Sequence, residues 1–334
     1  MLEHLSVMLI AVIALAIAFD YINGFHDTAN AIATSVATRA LDPRAAIAMA
    51  TAFNFIGAFA GTAVAKTIGS GLVDESTSTQ GVIAAALIGA ITWNLLTWYY
   101  GLPSSSSHAL IGGLFGATLV SAGPGAFKLD GIVQKVIFPM IASPVVGFFV
   151  ALALVVLLFW LFFRAQRRPM TTVFRRLQIV SAGFMAFSHG SNDAQKTMGI
   201  ITLGLFSAGA LSTNDVPWWV IVVAATAISL GTAVGGWRIM HTMGHRVVKL
   251  EPVHGFAAET TAATVIFTAA HFGMPVSTTH VISSAIIGVG SARGLRRVRW
   301  GVARSILLAW IITIPAAALV AAGSWFVLHL VGLG

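Results

Sequence analysis

Cysteine is absent from all 334 residues, which excludes disulfides and thiolate metal sites. Charge is scarce as well, at 9% against about 25% in an average soluble domain. With 57% hydrophobic residues, a soluble globular domain is excluded and a polytopic membrane protein remains. No ten-residue stretch alternates apolar and polar residues as a barrel strand does, so the spans read as helices. No Gly-x-x-x-x-Gly-Lys-Ser/Thr segment occurs, which argues against nucleotide hydrolysis by this chain. No basic region precedes the first apolar run. It follows Glu3 and His4 and leads straight into polar residues, so it reads as mature fold and not as a cleaved signal peptide.

Glycine, by contrast, is plentiful: thirty-three residues that suit close helix packing in lipid. The net charge of +8 falls in short loops between apolar runs, which marks loop charge and excludes a nucleic-acid surface. The apolar segments run approximately 5–22, 24–38, 45–65, 80–100, 104–121 and 134–163. After a basic connector they run 177–188, 190–207, 217–237, 255–271, 275–291 and 303–330. That is six and six in matching order, giving repeats at 1–163 and 177–334 joined by 164–176. The short pairs around residues 23 and 189, and those meeting at Gly101-Leu102-Pro103 and Gly273-Met274-Pro275, are expected to be broken helices. Paired interruptions in two halves point to a transporter-type binding site.

Loop charge relates the halves. Residues 39–44 carry Arg39 and Arg44, whereas 208–216 carry Asp215 and no base. Residues 66–79 have Lys66 against Asp74 and Glu75, whereas 238–254 have Arg238, Arg246 and Lys249. Residues 122–133 have only Lys128, against five arginines in 292–304. The bias is opposite in each pair, so inverted topology is expected, with both termini outside and 164–176 cytoplasmic. Whether 80–121 and 255–291 make full spans or re-entrant hairpins is open from sequence.

One stretch occurs twice. Asn23-Gly24-Phe25-His26-Asp27-Thr28-Ala29-Asn30 matches His189-Gly190-Ser191-Asn192-Asp193-Ala194-Gln195-Lys196, with Gly24 on Gly190 and Asp27 on Asp193. Asp20, Asn23, Asp27, Asn30 and Thr34 recur every three or four residues and make one polar stripe on a helix. Of eleven acidic residues only Asp20, Asp27, Asp193 and Glu259 lie at membrane depth, and Lys196 is the one base there. A carboxylate at that depth costs about 2.5 kcal/mol or more unless satisfied, so these are candidate proton or hard-cation sites.

A second pair of runs is Pro103-Ser104-Ser105-Ser106-Ser107-His108 and Pro275-Val276-Ser277-Thr278-Thr279-His280. Ser and Thr cap helix N-termini, and two such termini facing each other would hold a tetrahedral oxyanion. His108 and His280 sit one turn inside, placed to orient hydroxyls or titrate. A Ser–His hydrolase is disfavoured because adjacent Ser107 and His108 project about 100° apart on a helix, and no third orienting group is evident. The broken halves argue for alternating access over a channel.

Together these motifs resemble the signature repeats and hairpin motifs of the inorganic phosphate transporter (PiT) family, across essentially the whole chain. The resemblance implies an all-α inverted-repeat symporter for inorganic phosphate, sometimes carried as a metal–phosphate complex. It implies that Asp27, Asn30, Asn192 and Asp193 lie near coupling cations. It places Ser105, Ser106, Ser107, Ser277, Thr278 and Thr279 near phosphate. Asn23 and Glu259 join the coupling set, and Asp27 and Asp193 are the candidate ligands for a divalent metal. The sequence departs from the commoner pattern at His26 and at Lys196, which stands where copy one has Asn30. An ammonium there supplies the charge a Na⁺ would otherwise bring, so proton coupling is expected, with Lys196 beside the substrate. Na⁺ coupling, or sulfate as substrate, is the alternative. Phosphate is favoured over sulfate because it can donate a hydrogen bond to Asp27 or Asp193. Expected partners are inorganic phosphate, the transported cation and the bilayer, without a bound cofactor; a homodimer is compatible.

Overall fold

The structure, a computed structural model, describes residues 6–333; Glu3 and His4, on which the reading of the N-terminus rests, lie outside them. It is helical throughout. The first half comprises α1 (Val7–Ala37), α2 (Pro43–Gly57), α3 (Ala63–Ser70), α4 (Gln80–Tyr100), α5 (Ser106–Ala122), α6 (Leu129–Ile132) and α7 (Phe138–Leu161). A π-type turn makes α6 and α7 nearly continuous. The second half comprises α8 (Arg167–Ser207), α9 (Trp218–Val234), α10 (Trp237–His241), α11 (Pro252–His271), α12 (Thr278–Ser291) and α13 (Trp300–Leu330). Side chains cap several of these helices: Ser6 accepts from the amide of Leu9, and Thr79 from that of Val82.

Both halves depart from the expected breaks. α1 and α8 run unbroken through residues 23 and 189, over 31 and 41 residues. The polar residues there are not interruptions; other helices enclose and satisfy them. The breaks fall instead within the apolar segments 45–65 and 217–237, which divide into α2–α3 and α9–α10. The second break bends the chain by 60° at Gly235-Gly236, where Gly235 adopts φ +81°. Hydrophobicity stays high across these bends, which is why hydropathy alone hides them. The basic segment 164–176 is mostly helix, since α8 begins at Arg167 and only 162–166 separate it from α7. The breaks at the two Gly-X-Pro sites are present as expected, with Gly101 at φ +64° and Gly273 at φ +68°.

Each long motif helix packs on a broken helix of the other half. A Cβ on Gly24 (α1) would collide with the carbonyl of Ile228 (α9), and one on Gly231 with that of Tyr21. The equivalent contacts recur with the halves exchanged: Gly190 (α8) lies on the carbonyl of Asn54 (α2), and Gly57 on that of Phe187. The hairpin helices repeat the pattern, with α5 held by α4 and α13 and α12 by α11 and α7. Glycine at these points lets backbones touch, and in lipid such contact is the main packing force.

Apolar residues such as Phe149, Leu157, Ile311 and Leu319 of α7 and α13 are exposed, whereas Asp20, Asp27, Asp193, Lys196 and Glu259 are buried. That reversal of the soluble pattern suits a lipid-facing surface. By length and composition α1, α4, α6–α7 and α13 can each cross a membrane, as can the bent α9–α10 pair taken as one span. The chain is a multi-pass membrane protein.

Candidate functional site

Asn23, Asp27 and Asn30 project from one side of α1, and His189, Asn192, Asp193 and Lys196 from α8; all are buried. Lys196 Nζ lies 2.5 Å from Asp193 Oδ1 and also donates to Ser107 Oγ. Asp193 Oδ2 is 3.3 Å from His189 Nε2 and accepts from Asn23 Nδ2 at 3.4 Å. Asn192 Nδ2 donates to Asp193 Oδ1 at 3.1 Å and to the Val276 carbonyl at 2.9 Å. A buried pair this well surrounded meets the condition under which ions are tolerated away from water. Asp27 Oδ1 sits 2.6 Å from His26 Nδ1, and His26 Nε2 is 3.1 Å from Thr97 Oγ1. Thr97 in turn accepts from Ser104 Oγ at 2.8 Å.

The two hairpin tips meet at the same place. Ser105 Oγ caps α5 by accepting from the His108 amide, and Ser277 Oγ caps α12 by accepting from that of His280, both at 3.1 Å. Asn30 Nδ2 donates to Thr278 Oγ1 at 3.2 Å and to Thr279 Oγ1 at 2.9 Å. Ser107 Oγ donates to the Val276 carbonyl at 3.2 Å, tying one tip to the other. The rings of His108 and His280 meet edge-on at 4.5 Å, and His280 stacks on Trp310 at 3.9 Å. Both histidines therefore pack the tips together; neither ring orients a hydroxyl.

Sequence reasoning grouped thirteen residues, and twelve of them converge here. Glu259 does not. It accepts from Thr34 Oγ1, from Gln178 Nε2 at 3.0 Å and from Ser181 Oγ at 2.5 Å, in a separate network of neutral donors. Asp20 lies on the α1 stripe, fully buried, with neither carboxylate oxygen hydrogen-bonded. Four participants lay outside that group: His26, Thr97, Ser104 and His189. His189 carried a usable signal, since it stands four residues before Asp193 and so shares its helix face.

Polar atoms inside the site remain unpartnered, among them Ser106 Oγ and the side-chain carbonyls of Asn23, Asn30 and Asn192. Such atoms are costly to bury unless a ligand uses them. Two capped helix N-termini, several hydroxyls and one ammonium supply the kind of donors that a small oxyanion accepts from. Asp27, His189 and Asp193 each offer a ligand atom, all within 4.8 Å of one another, an arrangement that fits a cation beside that anion.

The family model described as "Phosphate transporter family" matches residues 23–321. The chain belongs to that family. It is 51% identical to a probable low-affinity inorganic phosphate transporter of Rhizobium meliloti (strain 1021), over 97% of each chain. A protein of the same description from Bacillus subtilis (strain 168) is 47% identical, over 99% of this chain and all of the other. Among solved structures, "The sodium-dependent phosphate transporter" superposes with a TM-score of 0.86 at 27% identity, covering 97% of this chain and all of the other. The family is one of transporters, not enzymes.

Proposed function

We propose that this phosphate transporter imports inorganic phosphate by symport with protons across a bacterial-type plasma membrane, phosphate lying between the α5 and α12 tips. The carrying observation is Lys196, whose ammonium lies 2.5 Å from Asp193 and donates to Ser107. It fills, with fixed charge, the space a Na⁺ would take beside that carboxylate. Asp27 and Asp193 take up the proton that accompanies phosphate, with Asn23, Asn30 and Asn192 orienting them. Ser105, Ser106, Ser107, Ser277, Thr278, Thr279 and Lys196 hold the anion. Glu259 serves as a second, separate proton site. The repeats are inverted in the membrane, with both termini outside and 164–176 cytoplasmic, and they rock about the site.

A second reading is Na⁺ coupling, or carriage of phosphate with a divalent metal. The clustered ligand atoms of Asp27, His189 and Asp193 favour it. Uptake of radiolabelled phosphate into proteoliposomes, under a pH gradient and separately a Na⁺ gradient, decides between them. Uptake driven by protons alone supports the proposal, and dependence on Na⁺ overturns it. Strong competition by sulfate would overturn the substrate assignment.

A further inference from the structure

The break between α4 and α5 opens beside a cavity of about 320 Å³ lined by Tyr99, Tyr100, Arg238, His241, Thr242 and Arg246. No carboxylate lines it. Bases in membrane-protein loops are common, so their number proves nothing; their placement is what differs here. Thr242 Oγ1 donates to the Gly101 carbonyl at 3.1 Å, fastening the basic segment to the hairpin break. Its counterpart in the first half, Thr67 of Lys66-Thr67-Ile68-Gly69 against His241-Thr242-Met243-Gly244, donates to the Gly273 carbonyl at 2.6 Å.

The tie is shared, but the chemistry around it is not. At the second break Lys66 is neutralised by Asp215 at 3.0 Å, and that hydrogen bond holds the Asp215 carboxyl below its ordinary range. Lys135 there donates to the Phe272 carbonyl at 2.8 Å. The adjoining cavity, about 470 Å³, is lined by apolar residues and neutral hydroxyls such as Phe138, Met274, Ser143 and Thr264. Among the described residues, only the first break presents bases to an open volume without an acid among them.

Arg238 is pre-oriented for a ligand. Its guanidinium lies 5.3 Å from the Trp98 ring and 5.0 Å from that of Tyr99, and Nη1 donates to the Tyr99 carbonyl at 2.5 Å. Its other N–H donors stay available for an oxyanion. From Gly101 the chain passes directly to Ser104, which bonds to Thr97 and so reaches His26 and Asp27. The cavity thus adjoins a polar path to the buried carboxylate.

We propose that this cavity is a second oxyanion site, a vestibule where Arg238, His241 and Arg246 hold phosphate at the mouth of the first hairpin. The proposal rests on the transport reading above and extends it. A phospholipid headgroup has the same phosphate chemistry. The lining, however, is Arg, His, Thr and Tyr, with no aliphatic side chain to receive an acyl chain, so the occupant is free phosphate.

The test uses the full chain in nanodiscs of phosphatidylcholine alone, with equilibrium binding of radiolabelled phosphate. Arg246 is the residue to change, because it is exposed and in no ion pair among the described residues. Two classes of site are expected in the wild type. Arg246→Gln should weaken the looser class about tenfold, the effect of one lost charge-assisted hydrogen bond, and spare the tighter class. Under the proposed topology the 238–254 loop is cytoplasmic, so in right-side-out proteoliposomes Arg246→Gln should raise KM for phosphate leaving the lumen, spare KM for entry and leave kcat unchanged, with Arg246→Lys restoring part of the affinity. A single class in the wild type, or unchanged binding in Arg246→Gln, overturns the vestibule. So does an effect seen only after phosphatidylglycerol is added. If the tight class is missing but the Arg246-dependent class is present, the transport reading falls and the vestibule stands.

Discussion

Asn30 and Lys196 hold equivalent places in the two motif copies, and each donates to a hydroxyl in the first turn of a hairpin helix. Asn30 reaches Thr278 and Thr279 on α12, while Lys196 reaches Ser107 on α5. One scaffold contact is thus made twice, once by a neutral amide and once by a cation. The charge difference, not the geometry, separates the two halves of the site.

Exchanging that cation for its counterpart is the most direct test of its role. Lys196→Asn should leave the fold in place and create a demand for Na⁺ in phosphate uptake, while weakening the response to a pH gradient. An unchanged ion profile in paired-gradient uptake assays would remove Lys196 from the coupling mechanism. Lys196→Met, which offers Asp193 nothing, should cost about 3–5 kcal/mol, the usual result of orphaning one member of a buried pair. Thermal unfolding in detergent measures it.

Asp27→Asn and Asp193→Asn should each abolish uptake at normal expression, because Asp193 pairs with the lysine that reaches the α5 tip and a ligand atom of Asp27 lies within 4.8 Å of one on Asp193. Asp193→Asn also unpairs Lys196, so it should lower the melting temperature more than Asp27→Asn. Near-wild-type uptake in either would refute the assignment.

Glu259 stands apart, among Thr34, Gln178 and Ser181. Glu259→Gln should preserve phosphate exchange across the membrane, which needs no net proton movement. It should abolish accumulation driven by a pH gradient. Counterflow and net uptake measured on the same proteoliposomes separate the two; equal loss of both would make Glu259 structural.

Gly24 and Gly190 are packing positions of equal standing. Gly24→Val and Gly190→Val should each prevent folding, since any Cβ meets the backbone carbonyl of Ile228 or Asn54 and helix backbones cannot yield as side chains do. Gly301, whose Cβ would meet nothing, is the control. Size-exclusion profiles after detergent extraction report the difference.

Much of this arrangement was legible in the chain. Gly101 and Gly273 precede a proline by two residues, and the backbone there turns left-handed as that pattern demands. The convergence of Asp27 with Asp193 followed from repetition, because matched motifs in matched segments fall near a shared axis. The continuity of α1 and α8 was not legible. Polar side chains look like breaks when their partners sit far along the chain, as Asn30 and Thr279 do at 249 residues apart. The real bends, at 58–62 and Gly235-Gly236, hide within apolar sequence. Glu259 was found by depth, but its neutral partners depend on how α1, α8 and α11 cross, which no local pattern encodes.

The exchange of packing partners between halves also constrains synthesis. α1 carries Asp27 and leans on α9, and α8 carries Asp193 and leans on α2. A nascent chain that has released only its first half therefore has a charged helix whose close-packed seat is not yet made. α1 can settle only after α9 emerges, more than 180 residues later. Maturation must then be a late, concerted closure of both halves, and each half expressed alone should be a substrate for membrane quality-control proteases.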